Sequence, residues 1–158
     1  MWALPVISVS PVHRPKVTRS PTPTYMFSDE REFMKEKIRT ALRIAASKKH
    51  LDICLGAFGC EPRFGNPALE VATLWKEVLY KETEFNGRFT NVVFAIDDYN
   101  TSSGSKGNGK AGKSDLEIFK EVFDPEKLLS AKYRPSDDCR YCPDLAGGCE
   151  GRESFDVD

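Results

Sequence analysis

Leu51 to Trp75 read LDICLGAFGCEPRFGNPALEVATLW, and the fold class can be read from this stretch. Leu51, Ile53, Leu55 and Ala57 alternate along the chain and give a strand over 51–57 its apolar side. Gly56, Gly59 and Gly65 punctuate the segment after it, and glycine lets backbone approach a ligand with no Cβ in the way. Asn66 is positioned to cap the next helix, and Pro67 suits its first turn. A strand that runs through such a loop into a helix gathers unpaired N–H groups at the positive end of a helix dipole. That arrangement suits a phosphate. The same turn also serves as a plain connection in many α/β folds, so the loop alone leaves both readings open.

On each side of the strand the spacing predicts a helix. Upstream, Ser28 caps a helix to about Lys49, with Met34, Ile38, Ala41, Leu42 and Ala45 inward and Lys35, Arg39 and Arg43 facing water. Downstream, a helix from Pro67 to about Phe85 buries Ala68, Val71, Ala72, Trp75, Val78 and Leu79, and Asn86-Gly87 stops it. Asn91 to Ile96, NVVFAI, is a continuous apolar strand of the kind covered on both faces. Thr101 to Lys113 is low-complexity and reads as a surface loop. Ser114 and Glu117 form a capping-box pair opening a short helix, with Leu116, Phe119 and Val122 inward. Near the N-terminus, Val6 to Val9 is a strand candidate and His13 to Pro23 a basic, proline-rich connection.

The resulting β-α-β-α-β-α order predicts an α/β fold with a parallel sheet and helices on both faces. The organisation is a short strand and connection over 1–27, a core over 28–123, and an acidic, cysteine-containing tail over 124–158 that is expected to be poorly ordered. A sheet of three strands has open edges, and open edges pair with other chains, self-association included. The chain has 158 residues and a formal net charge of −1, so it has no general pull toward nucleic acid or an anionic membrane. No apolar run approaches the roughly 20 residues that span a bilayer. The apolar start lacks a basic region and a clear cleavage site, and the five cysteines are an odd number. An intracellular protein, cytoplasmic or nuclear, with reduced thiols is expected.

The segments LGAFGC, FGNPALEVA and NVVFAI, in that order, resemble the microbial-type poly(ADP-ribose) glycohydrolases, which are macrodomain-like. VISVSPVHRPKV, EREFMKEKIRTALRIAASKKH and SDLEIFKEVFD are similar to further parts of that family, so the resemblance runs from about Leu4 to Phe123. It implies a three-layer α/β/α macrodomain-like fold with a mostly parallel sheet, incomplete in this chain. It also implies that Gly59, Cys60, Phe64, Gly65 and Asn66 lie on a loop whose backbone N–H groups wrap the diphosphate of ADP-ribose, with Phe64 beside a ribose. Here the chain departs from the family, because Glu61, Pro62 and Arg63 replace a small glycine-alanine step. Pro62 removes a donor, Glu61 brings a negative charge, and Arg63 offers a guanidinium suited to phosphate.

The family's catalytic centre is a glycine triplet followed by a glutamine and two adjacent glutamates, and no such stretch occurs here. The resemblance therefore implies the C-terminal portion of the fold and no catalytic residue. A truncated product and a paralogue without its catalytic half are both open. The expected function is binding of ADP-ribose or an ADP-ribosylated protein. The alternatives are hydrolysis by other carboxylates (Asp97, Asp98 or Glu61) and an interaction or vestigial chain that binds no such ligand.

Three further groups each carry two readings. Asp97 and Asp98 come after a buried strand, where open α/β sheets place ligands. Neighbours on extended backbone point apart, however, which favours a solvated loop entry over an acid–base pair. Cys139, Cys142 and Cys149 have the spacing of a zinc hook, with Asp144, Glu150 or a cysteine from elsewhere to serve as the fourth ligand; the other reading is a tail with incidental thiols. His13 opens a short basic run with Arg14, Lys16 and Arg19, read as a solvated connection, and His50 ends the first long helix.

Overall fold

The computed structural model describes residues 4–97 and 113–125. Among the described residues, three helices and a two-stranded parallel sheet make up the regular structure: α1 (Ser28–Ser47), β1 (Asp52–Leu55), α2 (Ala68–Lys81), β2 (Asn91–Phe94) and α3 (Asp115–Val122). The strands pair Asp52 with Asn91 through Leu55 with Phe94, and α2 is the crossover between them.

α2 sits at the centre because its sequence is apolar on more than one side. Val71, Ala72, Leu74, Trp75, Val78 and Leu79 are all buried. Against them α1 turns Met34, Ile38, Leu42 and Ala45, the three- and four-residue spacing visible in the sequence, with Ala41 only half-buried. The sheet contributes Ile53, Leu55, Val92, Phe94 and Ile96. Phe94 meets Trp75 of α2 at 6.1 Å and Phe119 of α3 at 5.3 Å between ring centroids. Ser114 and Glu117 form the reciprocal capping box at the start of α3, and on that helix Ile118 joins Phe119 and Val122 against the core, rather than Leu116.

Several expectations are corrected. Val6 to Val9 form no strand: Leu4 and Val6 are exposed, and with no neighbouring strand their backbone has nothing to pair with among the described residues. The short bridge in this region joins Val17 to Tyr25. Ser28 is the first residue of α1 and does not cap it; the extended Phe27 takes the cap position. α2 ends at Lys81, and a tight turn from Glu82 carries the buried Phe85 back into the core before Gly87, at φ 72°, reverses the chain.

The largest correction concerns the sheet. Both strands alternate exposed and half-buried, so only one face is covered among the described residues. Asp52, Cys54, Asn91 and Val93 point away from the helices, and Val93 is 57% exposed. The continuous apolar look of NVVFAI is thus a covered face interleaved with an apolar but open one. A third layer of helix is not present among the described residues.

Lys35 and Arg39 are not solvated. Arg39 grips Glu82 with Nε to Oε2 at 3.0 Å and Nη2 to Oε1 at 2.8 Å, and Lys35 lies 3.2 Å from Glu77 and 3.3 Å from Glu82. Arg31 adds contacts to Glu70 at 3.0 Å and Glu77 at 2.9 Å, and Arg43 reaches Glu84. One basic stripe on α1 therefore runs along the glutamates of α2 and its exit. Each buried core side chain is worth about 2 kcal/mol and an ion pair of this type under about 1 kcal/mol. The apolar face docks the two helices, and the ion pairs fix their register.

Candidate functional site

The loop between β1 and α2 leaves the sheet at its C-terminal end. Gly59 at φ 74° and Gly65 at φ 69° set its path. At Gly59 an added Cβ would lie 2.7 Å from Pro11 Cβ and 2.8 Å from Asn66 Nδ2, so the N-terminal segment meets the loop at backbone distance.

Asn66 holds this junction and does not cap α2, whose cap position falls to Pro67 with no side-chain hydrogen bond. Its amide nitrogen donates to Val12 O at 2.8 Å and Gly59 O at 3.0 Å, and its Oδ1 accepts from the Tyr25 hydroxyl at 2.9 Å. Asn66 is only 4% exposed, and a buried amide left without partners is costly, so these bonds hold it inward. Burial pushes the Tyr25 phenol far above its ordinary range, with Cys60 and Glu70 adding to the effect. It is a neutral donor at any physiological pH.

Several loop amides are spent inside the loop. Phe58 donates to Gly56 O, Cys60 to Ala57 O, Phe64 and Gly65 to Glu61 O, and Asn66 to Gly59 O. Among the described residues, the N–H groups of Gly59, Glu61 and Arg63 make no such bond, and neither do those of Ala68, Leu69 and Glu70 in the first turn of α2. Of the six expected ligand-binding positions, Gly59 and Arg63 therefore have an N–H outside these backbone bonds, and of the two Gly59 is buried and Arg63 exposed. Cys60 and Gly65 shape the turn, Phe64 is half-buried beside Arg63, and Asn66 braces it. The Cys60 thiol is pushed far up by burial, then by Asp115 and Glu61, which keeps it protonated and unreactive.

The N-terminal segment, read from sequence as a solvated connection, folds onto this loop. Arg14 N donates to Phe64 O at 2.7 Å, Arg14 Nε reaches Arg63 O at 3.4 Å, and the His13 ring meets Phe64 edge-on at 5.9 Å. Sequence reasoning missed Pro11, Val12, His13, Arg14 and Tyr25 as parts of the site. The one available signal was the run of prolines at 11, 15, 21 and 23, which stiffens a segment enough to dock it.

Asp97 is exposed just past β2, and Asp98 lies outside the described residues, as do Cys139, Cys142, Asp144, Cys149 and Glu150. Among the described residues no cluster of three or more His, Cys, Asp or Glu could hold a metal. Two hollows of about 260 and 270 Å³ lie toward the other end of the sheet, one lined by Arg43, Ser47 and Arg88, the other by Tyr80, Asn86 and Phe89. Neither includes a residue of the β1–α2 loop. No helix among the described residues is long and apolar enough to cross a membrane. No family model matches the chain, and no curated protein or solved structure matches it.

Proposed function

We propose that this chain is an ADP-ribose-binding, macrodomain-like protein related to the microbial-type poly(ADP-ribose) glycohydrolases and lacking their catalytic glutamate pair. The observation that carries the reading is the β1–α2 loop. It lies at the C-terminal end of a parallel pair, turns through Gly59 and Gly65, and leads into a helix whose first turn has no capping side chain. Free N–H groups at that place suit a diphosphate. Glu70 in the first turn would oppose an anion, but Arg31 holds it at 3.0 Å and offsets its charge. What is proposed is binding, because the glycine triplet and glutamate pair that carry the family's chemistry do not occur in this sequence.

A thermal melt of the purified chain with and without millimolar ADP-ribose tests this. A ligand bound only by the native state adds about 2.7 kcal/mol at a hundredfold excess over Kd. An upward shift of a cooperative transition is the expected result, and a cooperative but unshifted transition contradicts it.

A second reading has its own observation. Leu51 and Val93 are more than half exposed, and Cys54 joins Val93 on the open sheet face. Apolar surface of this kind favours association with a second copy. Sedimentation that stays monomeric across a hundredfold range of concentration removes this reading.

A further inference from the structure

Among the described arginines, those of α1 are paired with glutamates, whereas Arg14, Arg19, Arg63 and Arg88 are not, and of these four Arg14 and Arg63 meet at the β1–α2 loop. On α1, Arg31, Arg39 and Arg43 are each neutralised by glutamates at 3.0 Å or less. Arg14 and Arg63 form no ion pair with a carboxylate among the described residues, and the neighbouring Glu61 pairs with neither. These two unpaired guanidinium groups come from positions 49 residues apart and are brought together by Arg14 Nε against Arg63 O. Phe64, half-buried, lies beside them, with the Arg63 guanidinium 5.8 Å from its ring centre, the exposed His13 at its edge and Arg14 N bonded to its carbonyl.

Arg14 is also held in the left-handed backbone region at φ 49°, where a side chain is costly and glycine is not. Its N–H bond to Phe64 O fixes that conformation at 2.7 Å. Strain of this kind persists where surrounding contacts over-determine it, and it concentrates at ligand sites. A purely structural corner would be better served by glycine. Arginine at this position brings a guanidinium to the loop, and guanidinium is the side chain best matched to phosphate oxygens.

We propose that Arg14 and Arg63, around Phe64, form a second wall of the loop site and grip the phosphates of a pyrophosphate-bearing nucleotide, with His13 closing the edge. The inference rests on the loop reading above and deepens it, by giving side-chain ligands to a site otherwise made of backbone donors. It also assigns a role to the N-terminal segment: docking through Pro11, Val12 and Arg14 carries half of the positive charge to the loop.

Calorimetric titrations with inorganic pyrophosphate and with ADP-ribose test it on the whole chain, comparing the native protein with Arg14→Gly, Arg63→Ala and Arg19→Ala. Arg14→Gly relieves the backbone strain, so it keeps the fold while removing the guanidinium, and Arg19→Ala removes the same charge from an exposed position on the same segment. Both ligands are expected to lose about tenfold or more in affinity with Arg14→Gly and with Arg63→Ala, and to change little with Arg19→Ala. ADP-ribose that binds equally well to all four proteins overturns this inference and leaves the loop reading standing. Pyrophosphate binding that depends on both arginines, with ADP-ribose bound no tighter, keeps the arginine site and removes the ADP-ribose reading. Absence of binding by both ligands overturns both.

Discussion

Glycine and lysine positions carry the sharpest tests among single residues. Gly59 and Gly65 have nearly the same φ, yet an added Cβ strikes Pro11 and Asn66 at Gly59 and meets nothing within 4 Å at Gly65. Gly65→Ala should cost only the left-handed strain, about 1 kcal/mol, whereas Gly59→Ala adds overpacking and should cost about 3 kcal/mol. Equal losses in urea midpoints would show that the N-terminal segment does not rest on the loop. Lys49 offers the opposite change. It occupies the left-handed position past α1 at φ 61°, where Lys49 N bonds Ala46 O and His50 N bonds Ala45 O, a helix ending usually served by glycine. Lys49→Gly should raise stability by up to about 1 kcal/mol, less what the freer unfolded chain takes back. The glycines of the loop were legible in the sequence because their residue type announces the conformation. Asn66 was legible as polar and wrong as a cap, since nothing local reveals that Tyr25 and Val12 arrive from elsewhere to claim its side chain.

The helices were read well from spacing, because burial of Met34, Ile38, Leu42 and Ala45 matches the period of the helix itself. What spacing could not give was the partner of the opposite stripe. Lys35 and Arg39 look like solvent residues until α2 lays Glu77 and Glu82 beside them. The Glu82 carboxyl is held below its usual 4.5 chiefly by the hydrogen bond from Arg39. At Glu77 burial pushes upward, but the bonds from Arg31 and Lys35 outweigh it and the net shift is down. A folded-state value below the unfolded one means that the stabilisation is fully present above the unfolded value. It is lost as pH falls from about 4.5 through the depressed folded values. Denaturant midpoints should therefore fall over that acid range, and Glu82→Gln should flatten part of the fall. It should also cost about 1 kcal/mol at neutral pH, with an Arg39–Glu82 double-mutant cycle locating the loss in that pair. A pH profile identical in native protein and Glu82→Gln would remove the network from the account.

For the whole molecule, the alternation of strands and helices gave the α/β class, and the parallel pairing of β1 with β2 around α2 is its consequence. Among the described residues the helices cover one face of the sheet only, where the sequence pattern predicts helices on both. In a run such as NVVFAI, apolar residues on an open face cannot be told from apolar residues on a covered one, so Val93 reads like Val92 until the structure separates them. The first predicted strand failed for a related reason: Val6 to Val9 have the composition of a strand, but pairing is a property of neighbours. One experiment bears most directly on the binding of ADP-ribose by the β1–α2 loop. Backbone amide NMR spectra of the chain, recorded while ADP-ribose is added, report which N–H groups meet the ligand. Saturable shifts concentrated at Gly59, Glu61, Arg63, Ala68 and Leu69, with Arg14 among them, are predicted. Unchanged spectra at millimolar ligand, or shifts confined to the hollows lined by Arg88 and Phe89, would contradict the account.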